Sequence, residues 1–163
     1  MIAITAEVMA QIDALQADYI HALDNREFQA WLDTFDTAED TAYFCIAAEN
    51  ADNDLQIALM YDDCRNRIED RVTFIQDIWS GTYQDYRTRH FIQRTRCSKT
   101  GDDSYALETN FSIIYTPESG RSDVQVAGVY KDEVIINSSG AKFKTKKAIY
   151  DTTVLPRYIV YPF

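Results

Sequence analysis

A strict two-residue alternation over residues 105–115 constrains the fold of this chain more than any other feature of its sequence. Along YALETNFSIIY, apolar or Thr side chains stand at every odd position, and small or polar ones stand at the even positions up to Ser112. Successive side chains of a β-strand point to opposite faces of the sheet. The alternation therefore predicts a strand with one buried face and one exposed face.

The same texture runs from about Arg87 onward and is interrupted by turn-forming segments. These segments are TGDD (100–103), PESGRS (117–122) and NSSG (137–140). They divide the second half of the chain into roughly four strands joined by hairpins, which predicts a meandering antiparallel sheet. In the last strand Lys142, Lys144 and Lys146 alternate with their neighbours, so we interpret them as an outer face of the sheet, not as a nucleic-acid patch.

The N-terminal part has the spacing of amphipathic helices instead. Thr5 is placed to cap an opening helix with apolar residues three and four apart, namely Val8, Ile12, Leu15, Tyr19 and Leu23. Asn25 is placed to cap a second, short helix whose apolar stripe is Phe28, Trp31, Leu32 and Phe35. The aromatic face of the second helix is expected to pack on the first.

The middle of the chain is mixed. Residues 41–48 and 57–60 are β-capable, and Asp62 or Asp63 is placed to cap a third helix. Ile68, Val72 and Ile75 would share one face of that helix, and the charged residues between them predict a solvated opposite face. Helices first and a long antiparallel sheet afterwards, without repeat or linker, predict one α+β domain over residues 1–163 in which a curved sheet wraps the helices.

Charge and composition exclude several classes of function. The chain has 16 Lys+Arg and 26 Asp+Glu, and 16 − 26 = −10, a charge that disfavours nucleic acid and anionic membranes. No apolar run approaches the ~18 residues of a membrane span, and the first residues carry Glu7 and Asp13 without a basic segment. Three widely spaced cysteines suit free thiols in a reducing compartment. We therefore expect a cytoplasmic protein.

Candidate catalytic groups are few. No Cys has a His within three residues, as a Rieske iron–sulfur cluster would require, and the motifs GxSxG, GxGxxG and HExxH and a Walker loop are absent. His21 and Asp24 are interpreted as a local hydrogen bond at a helix end. His90 could act as a general base oriented by Asp85 or Tyr86, but an interface or salt-bridge cluster with the neighbouring arginines is the favoured interpretation.

The apolar ending TTVLPRYIVYPF (152–163) needs to be covered. It could pack on its own domain or lie against another subunit, with Arg157 available for a charged contact, and the sequence favours neither alternative.

Several segments together resemble one known family. YDDCRNRIEDR, IWSGTYQDYRTRHFIQ, NFSIIYTPES and TTVLPRYIVYPF are similar to the small (beta) subunits of Rieske-type aromatic ring-hydroxylating dioxygenases, in the group that serves anthranilate, benzoate and toluate. The resemblance spans nearly the whole chain. It implies a cone of strongly curved antiparallel sheet around N-terminal helices, as in the cystatin-like or nuclear transport factor two-like fold.

The resemblance also implies a non-catalytic, structural subunit with no cofactor or metal site of its own. A large catalytic subunit, three of each, would hold the Rieske cluster and a mononuclear iron, and a separate reductase would use NADH and FAD. The reaction implied is the conversion of anthranilate to catechol with loss of CO2 and ammonia, although this chain alone does not identify the aromatic acid.

Residues for the subunit interface are predicted from their Arg and aromatic character in two segments, 86–90 and 157–163. They are Tyr86, Arg87, Arg89, His90, Arg157, Tyr158, Tyr161 and Phe163. Two alternatives remain open at this point. One is a stand-alone dehydratase or isomerase of the same cone fold with His90 as general base, and the other is a small-molecule binding module lined by aromatic residues.

Overall fold

A curled, unclosed six-stranded sheet wraps the helices in the computed structural model, which describes residues 4–163. The elements in chain order are α1 (Ala6–Asp24), α2 (Phe28–Asp33), β1 (Ala42–Ala47), α3 (Ala48–Asp52), β2 (Met60–Asp62), α4 (Arg65–Thr73) with a π-helical turn (Phe74–Ile78), β3 (Tyr86–Lys99), β4 (Ser104–Pro117), β5 (Asp123–Asn137) and β6 (Gly140–Tyr150). The predicted α+β class with a cone-shaped sheet is confirmed.

The sheet has the order β2-β1-β6-β5-β4-β3. Strands β3 to β6 form the predicted antiparallel meander, whereas β1 joins the far edge of β6 in parallel and pairs β2 antiparallel. Along β4 the odd residues from Tyr105 to Ile113 are buried, as their alternation predicts. The concave side of the sheet therefore presents a mostly apolar surface to the helices.

Helix α1 begins as predicted, with the Thr5 hydroxyl accepting a hydrogen bond from the Val8 amide at 3.3 Å. The cap proposed for the second helix is wrong, because Asn25 ends α1 instead of starting α2. Arg26 adopts a left-handed backbone conformation with φ of 62° directly after it. This turn delays the second helix until Phe28.

In the middle of the chain, the bounds of the second strand and the start of the third predicted helix differ from the prediction. The second strand is Met60–Asp62, not residues 57–60, and the short helix α3 was not predicted. Neither aspartate caps α4, which starts after Cys64 without a side-chain cap; Asp62 instead binds Arg71, with Nη2 and Oδ1 2.8 Å apart. The predicted apolar face is confirmed, since Ile68, Val72 and Ile75 are buried.

Strand β6 departs most clearly from its pattern. The ladder pairs Glu133 with Thr145 but Val134 with Phe143, so Lys144 is an extra residue in a β-bulge. A bulge shifts the following side chains to the other face of the sheet. Lys142 donates to the main-chain oxygen of Asp33 at the end of α2, and Lys144 pairs with the exposed Asp40. Lys146, in contrast, lies inside the cone, and only 1% of its side chain is exposed. The predicted outer lysine face is wrong at this residue.

Candidate functional site

The predicted interface residues divide into two groups when placed in the fold. Four of them are buried within this chain, namely Tyr86, His90, Tyr161 and Phe163. The other four are accessible, with Arg87, Arg89 and Tyr158 exposed and Arg157 half-buried. The buried members stabilise the cone from inside. Only the others offer surface to a partner.

The exposed arginines belong to what we call the β3 outer face, formed by Arg87, Arg89, Phe91, Ile114 and Val124. On it Arg89 pairs with Ile114, which in turn pairs with Val124 on β5, so the three side chains share one face. Phe91 and Val124 are 56% and 55% exposed, which is high for apolar side chains. Within residues 4–163 neither arginine forms an ion pair. Arginine beside exposed aromatic and aliphatic groups is the composition that protein interfaces favour.

The segment after β6 contacts the start of β3 through Arg157 and Tyr158. The guanidinium carbon of Arg157 lies 4.1 Å from the ring centre of Tyr86 and 4.6 Å from that of Tyr158. The Tyr158 hydroxyl donates to the Gln84 carbonyl oxygen at 2.5 Å. These contacts hold the exposed side of the segment against the start of β3.

The inner end of this segment enters the core. The Val160 amide donates to the Tyr86 hydroxyl at 3.1 Å, and the Phe163 amide donates to the Tyr43 hydroxyl at 2.9 Å. The Tyr19 hydroxyl donates to the main-chain oxygen of Phe163 at 2.5 Å. Residues 160–163 are therefore covered by their own domain, which was one of the two alternatives for the tail.

His90 is oriented by an acid, but not by either group suggested for it. Its Nδ1 lies 2.6 Å from Asp24 Oδ1, its amide donates to Oδ2 at 3.0 Å, and the Thr88 hydroxyl donates to Oδ1 at 3.0 Å. Because an ionised carboxylate only accepts, the Nδ1 atom carries the proton. Nε2 is buried without a hydrogen-bond partner among the described residues.

The electrostatics of Asp24 follow from these contacts. Burial raises the pKa of Asp24. The hydrogen bonds from His90 and Thr88 and the electrostatic attraction of His90 together lower it by more, so the pKa lies below its ordinary value. Asp85, one of the suggested partners of His90, accepts from the Tyr161 hydroxyl at 2.6 Å instead. The expected pairing of His21 with Asp24 is also wrong, because the His21 ring contacts the Asn25 side chain.

A buried ion pair inside the cone was missed from the sequence. Lys146 Nζ lies 2.9 Å from Asp132 Oδ2, and the two side chains are 1% and 0% exposed. The ammonium also lies 3.8 Å from the ring centre of Tyr130 and 4.4 Å from that of Tyr19. Burial lowers the pKa of Lys146 and raises that of Asp132. Hairpin symmetry does not reveal the pair, because the NSSG turn by itself would place Thr145 opposite Asp132, and only the bulge at Lys144 brings Lys146 there.

Residues 4–163 contain no group of three or more His, Cys, Asp or Glu side chains arranged to hold a metal ion. In the same part of the chain, no helix combines the length and apolar character needed to cross a membrane.

The curled sheet and its enclosed helices define the class of the protein as a cone-shaped α+β domain. A protein from Novosphingobium aromaticivorans described as a scytalone dehydratase has this fold, with a TM-score of 0.68 and 16% identity over 93% of this chain and 89% of that one. That level of identity supports the fold alone.

The family follows from closer matches. The family model described as ring hydroxylating beta subunit matches residues 20–157, and the chain belongs to this family. The anthranilate 1,2-dioxygenase small subunit of Burkholderia cepacia is 29% identical over 152 residues, covering 93% of this chain and 92% of that protein. A structure from Novosphingobium aromaticivorans described as the beta subunit of an aromatic-ring-hydroxylating dioxygenase has a TM-score of 0.78 and 28% identity, covering 89% of this chain and 90% of that one.

Proposed function

We propose that this chain is the non-catalytic subunit of the terminal oxygenase component of an aromatic ring-hydroxylating dioxygenase. The observation that carries the proposal is the family match over residues 20–157. The filled cone interior supports it, because aromatic side chains and the residue 160–163 segment occupy the space that a substrate would need. The chain then contributes surfaces, and its partner contributes the chemistry.

The partner would be a large catalytic subunit, three of each in the assembly. That subunit would hold the Rieske cluster and the mononuclear iron, and a separate reductase using NADH and FAD would supply electrons. Rigid contacts from the present chain would keep neighbouring large subunits in register. The assembly would be cytoplasmic.

The substrate we propose is anthranilate. Dihydroxylation with dioxygen at the carbons that bear the carboxylate and the amine, followed by loss of CO2 and ammonia, gives catechol. Support for this choice is the 29% identical relative, whose name specifies anthranilate. Because the aromatic ring would bind in the large subunit, substrate preference should not change with surface variants of this chain.

The surface proposed for the large subunit is the β3 outer face together with Tyr158. Its two arginines have no acidic partner among the described residues, and they precede the exposed Phe91 at alternate positions of β3. A carboxylate-rich surface on the large subunit would complement them. Buried residues such as His90 would act only indirectly, by holding β3 in place.

A second candidate function rests on the Asp24–His90 contact. The carboxylate fixes the tautomer with Nε2 free, which is the arrangement of a general base in a stand-alone dehydratase or isomerase. Against it, the imidazole side chain is only 1% exposed. Turnover by the purified chain alone, abolished in His90→Ala, would establish this candidate.

The test of the proposed function is co-purification of the tagged chain with the large subunit encoded beside it, with mass and iron analysis of the complex. Arg89→Ala should weaken assembly several-fold and leave the iron content per intact complex unchanged. Arg96→Ala is the matched control, because Arg96 is an exposed arginine on the far half of the same strand. Unchanged assembly of the Arg89 variant together with lost turnover would contradict the proposal.

A further inference from the structure

The segment after β6 enters the cone without joining the sheet. Asp151 makes the last main-chain hydrogen bond, to Ala127 at 2.9 Å, and within the described residues no later amide or carbonyl of the chain pairs with another main-chain group. Tyrosine hydroxyls hold the inner end instead. Residues 160–163 therefore occupy an interior whose walls are formed by the helices and strands of the cone.

The phenyl ring of Phe163 lies in an aromatic compartment. It meets the Tyr150 ring edge-on, with centroids 5.8 Å apart and an interplanar angle of 87°, and it is tilted against Phe111 at 6.5 Å. These rings stand on β6 and β4, while Tyr19 and Tyr43 stand on α1 and β1. Because regular elements carry all four residues, the compartment should persist when the phenyl ring is removed.

The main chain of Phe163 is held separately from its ring. The Tyr43 hydroxyl accepts from the amide and the Tyr19 hydroxyl donates to the main-chain oxygen, so both contacts remain when the side chain is shortened. Burial raises the pKa of both tyrosines well above the ordinary value, which keeps the hydroxyls protonated. Shortening Phe163 therefore empties the ring space without removing the bonds that anchor the segment.

We propose that the space filled by the phenyl ring of Phe163 is a binding site for a small uncharged aromatic ring, and that the chain's own Phe163 is its occupant. Apolar cavities of benzene size inside proteins stay dry and accept such ligands. The site is distinct from the β3 outer face and does not depend on assembly with a large subunit.

The test is thermal unfolding of the full chain carrying Phe163→Ala, with toluene as the probe. Loss of the ring should lower Tm by about 10 °C. Toluene at ten times its Kd should raise the Tm of this variant by about 3–6 °C. Wild type and Phe163→Leu, which refills the space, should not respond, and neither should Phe91→Ala, which removes an exposed ring.

A Phe163→Ala variant that responds to toluene no more than wild type overturns the proposal. A variant that folds only when toluene is present supports the proposal, because toluene then supplies the stability that the phenyl ring provided. A variant that stays unfolded both with and without toluene also overturns it, because the compartment then does not exist independently of its occupant.

Discussion

Replacing Asp132 with Asn should destabilise the protein strongly, because the change leaves Lys146 buried without a counter-charge. The two groups are 2.9 Å apart and essentially unexposed. At an effective dielectric constant near 20, their attraction is about 6 kcal/mol. Removing each ion from water costs several kcal/mol, so the intact pair contributes little net stability. Breaking it leaves one desolvation cost uncompensated, and the expected loss is about 3–5 kcal/mol.

Urea denaturation at pH 7 measures this loss as the change in the free energy of unfolding. The double variant Asp132→Leu/Lys146→Met removes both charges and should lie within about 1 kcal/mol of wild type or above it. Asp63→Asn is the matched control, since Asp63 forms a surface ion pair with Arg67 at 3.2 Å and should cost under about 0.5 kcal/mol. A loss below about 1 kcal/mol for Asp132→Asn, or a double variant as unstable as the single one, would refute the reasoning.

Two further variants test individual contacts within the cone. Asp24→Asn should cost about 1–3 kcal/mol of unfolding free energy at pH 7, because it weakens the contact to His90. Since folding lowers the pKa of Asp24, this contribution is complete above the pKa of the unfolded state and should vanish as the pH falls through the pKa of the folded state. Urea denaturation at a series of pH values from pH 6 to pH 2.5 measures this loss. Gly128→Ala should cost about 1–3 kcal/mol, because the added Cβ would lie 2.0 Å from the Ile149 carbonyl oxygen. Gly101→Ala is the control and should be nearly neutral, because its Cβ would lie 3.4 Å from the nearest atom. Equal unfolding free energies for the two variants would contradict the close approach of β6 to Gly128.

Short-range patterns predicted the regular elements well where one face is buried. The odd residues of β4 and the spacing of Ile12, Leu15, Tyr19 and Leu23 in α1 each occur with the period of their element, and all of these α1 residues are buried. Such patterns report burial because the side-chain direction repeats with the backbone geometry. Boundaries were less accurate, since the start of α2 depends on the turn at Arg26.

The lysines of β6 show why periodicity can fail. A period of two holds only while the register holds, and the bulge at Lys144 moves Lys146 to the interior. The bulge has no signature in the local sequence. Its effect becomes visible only when β5 is laid beside β6 and Asp132 is found opposite Lys146.

The candidate site depends on contacts between residues far apart in sequence. Asp24 and His90 are 66 positions apart, and Tyr19 and Phe163 are 144 apart. The sequence alone suggested the nearer groups Asp85 and Tyr86 for His90, because it contains no information on which strand α1 covers. Residue type placed Arg87 and Arg89 among the predicted interface residues, and both are exposed, but it could not separate them from the buried Tyr86 and His90.

By itself, the sequence determined the α+β order, the curved antiparallel meander and the family of this protein, because these depend on periodic burial, turn residues and similarity along the whole chain. Only the tertiary structure decided which groups enter the cone. The ion pair, the partner of His90 and the burial of Phe163 arise where separate elements meet, and the choice is made by packing and desolvation, which no local pattern encodes.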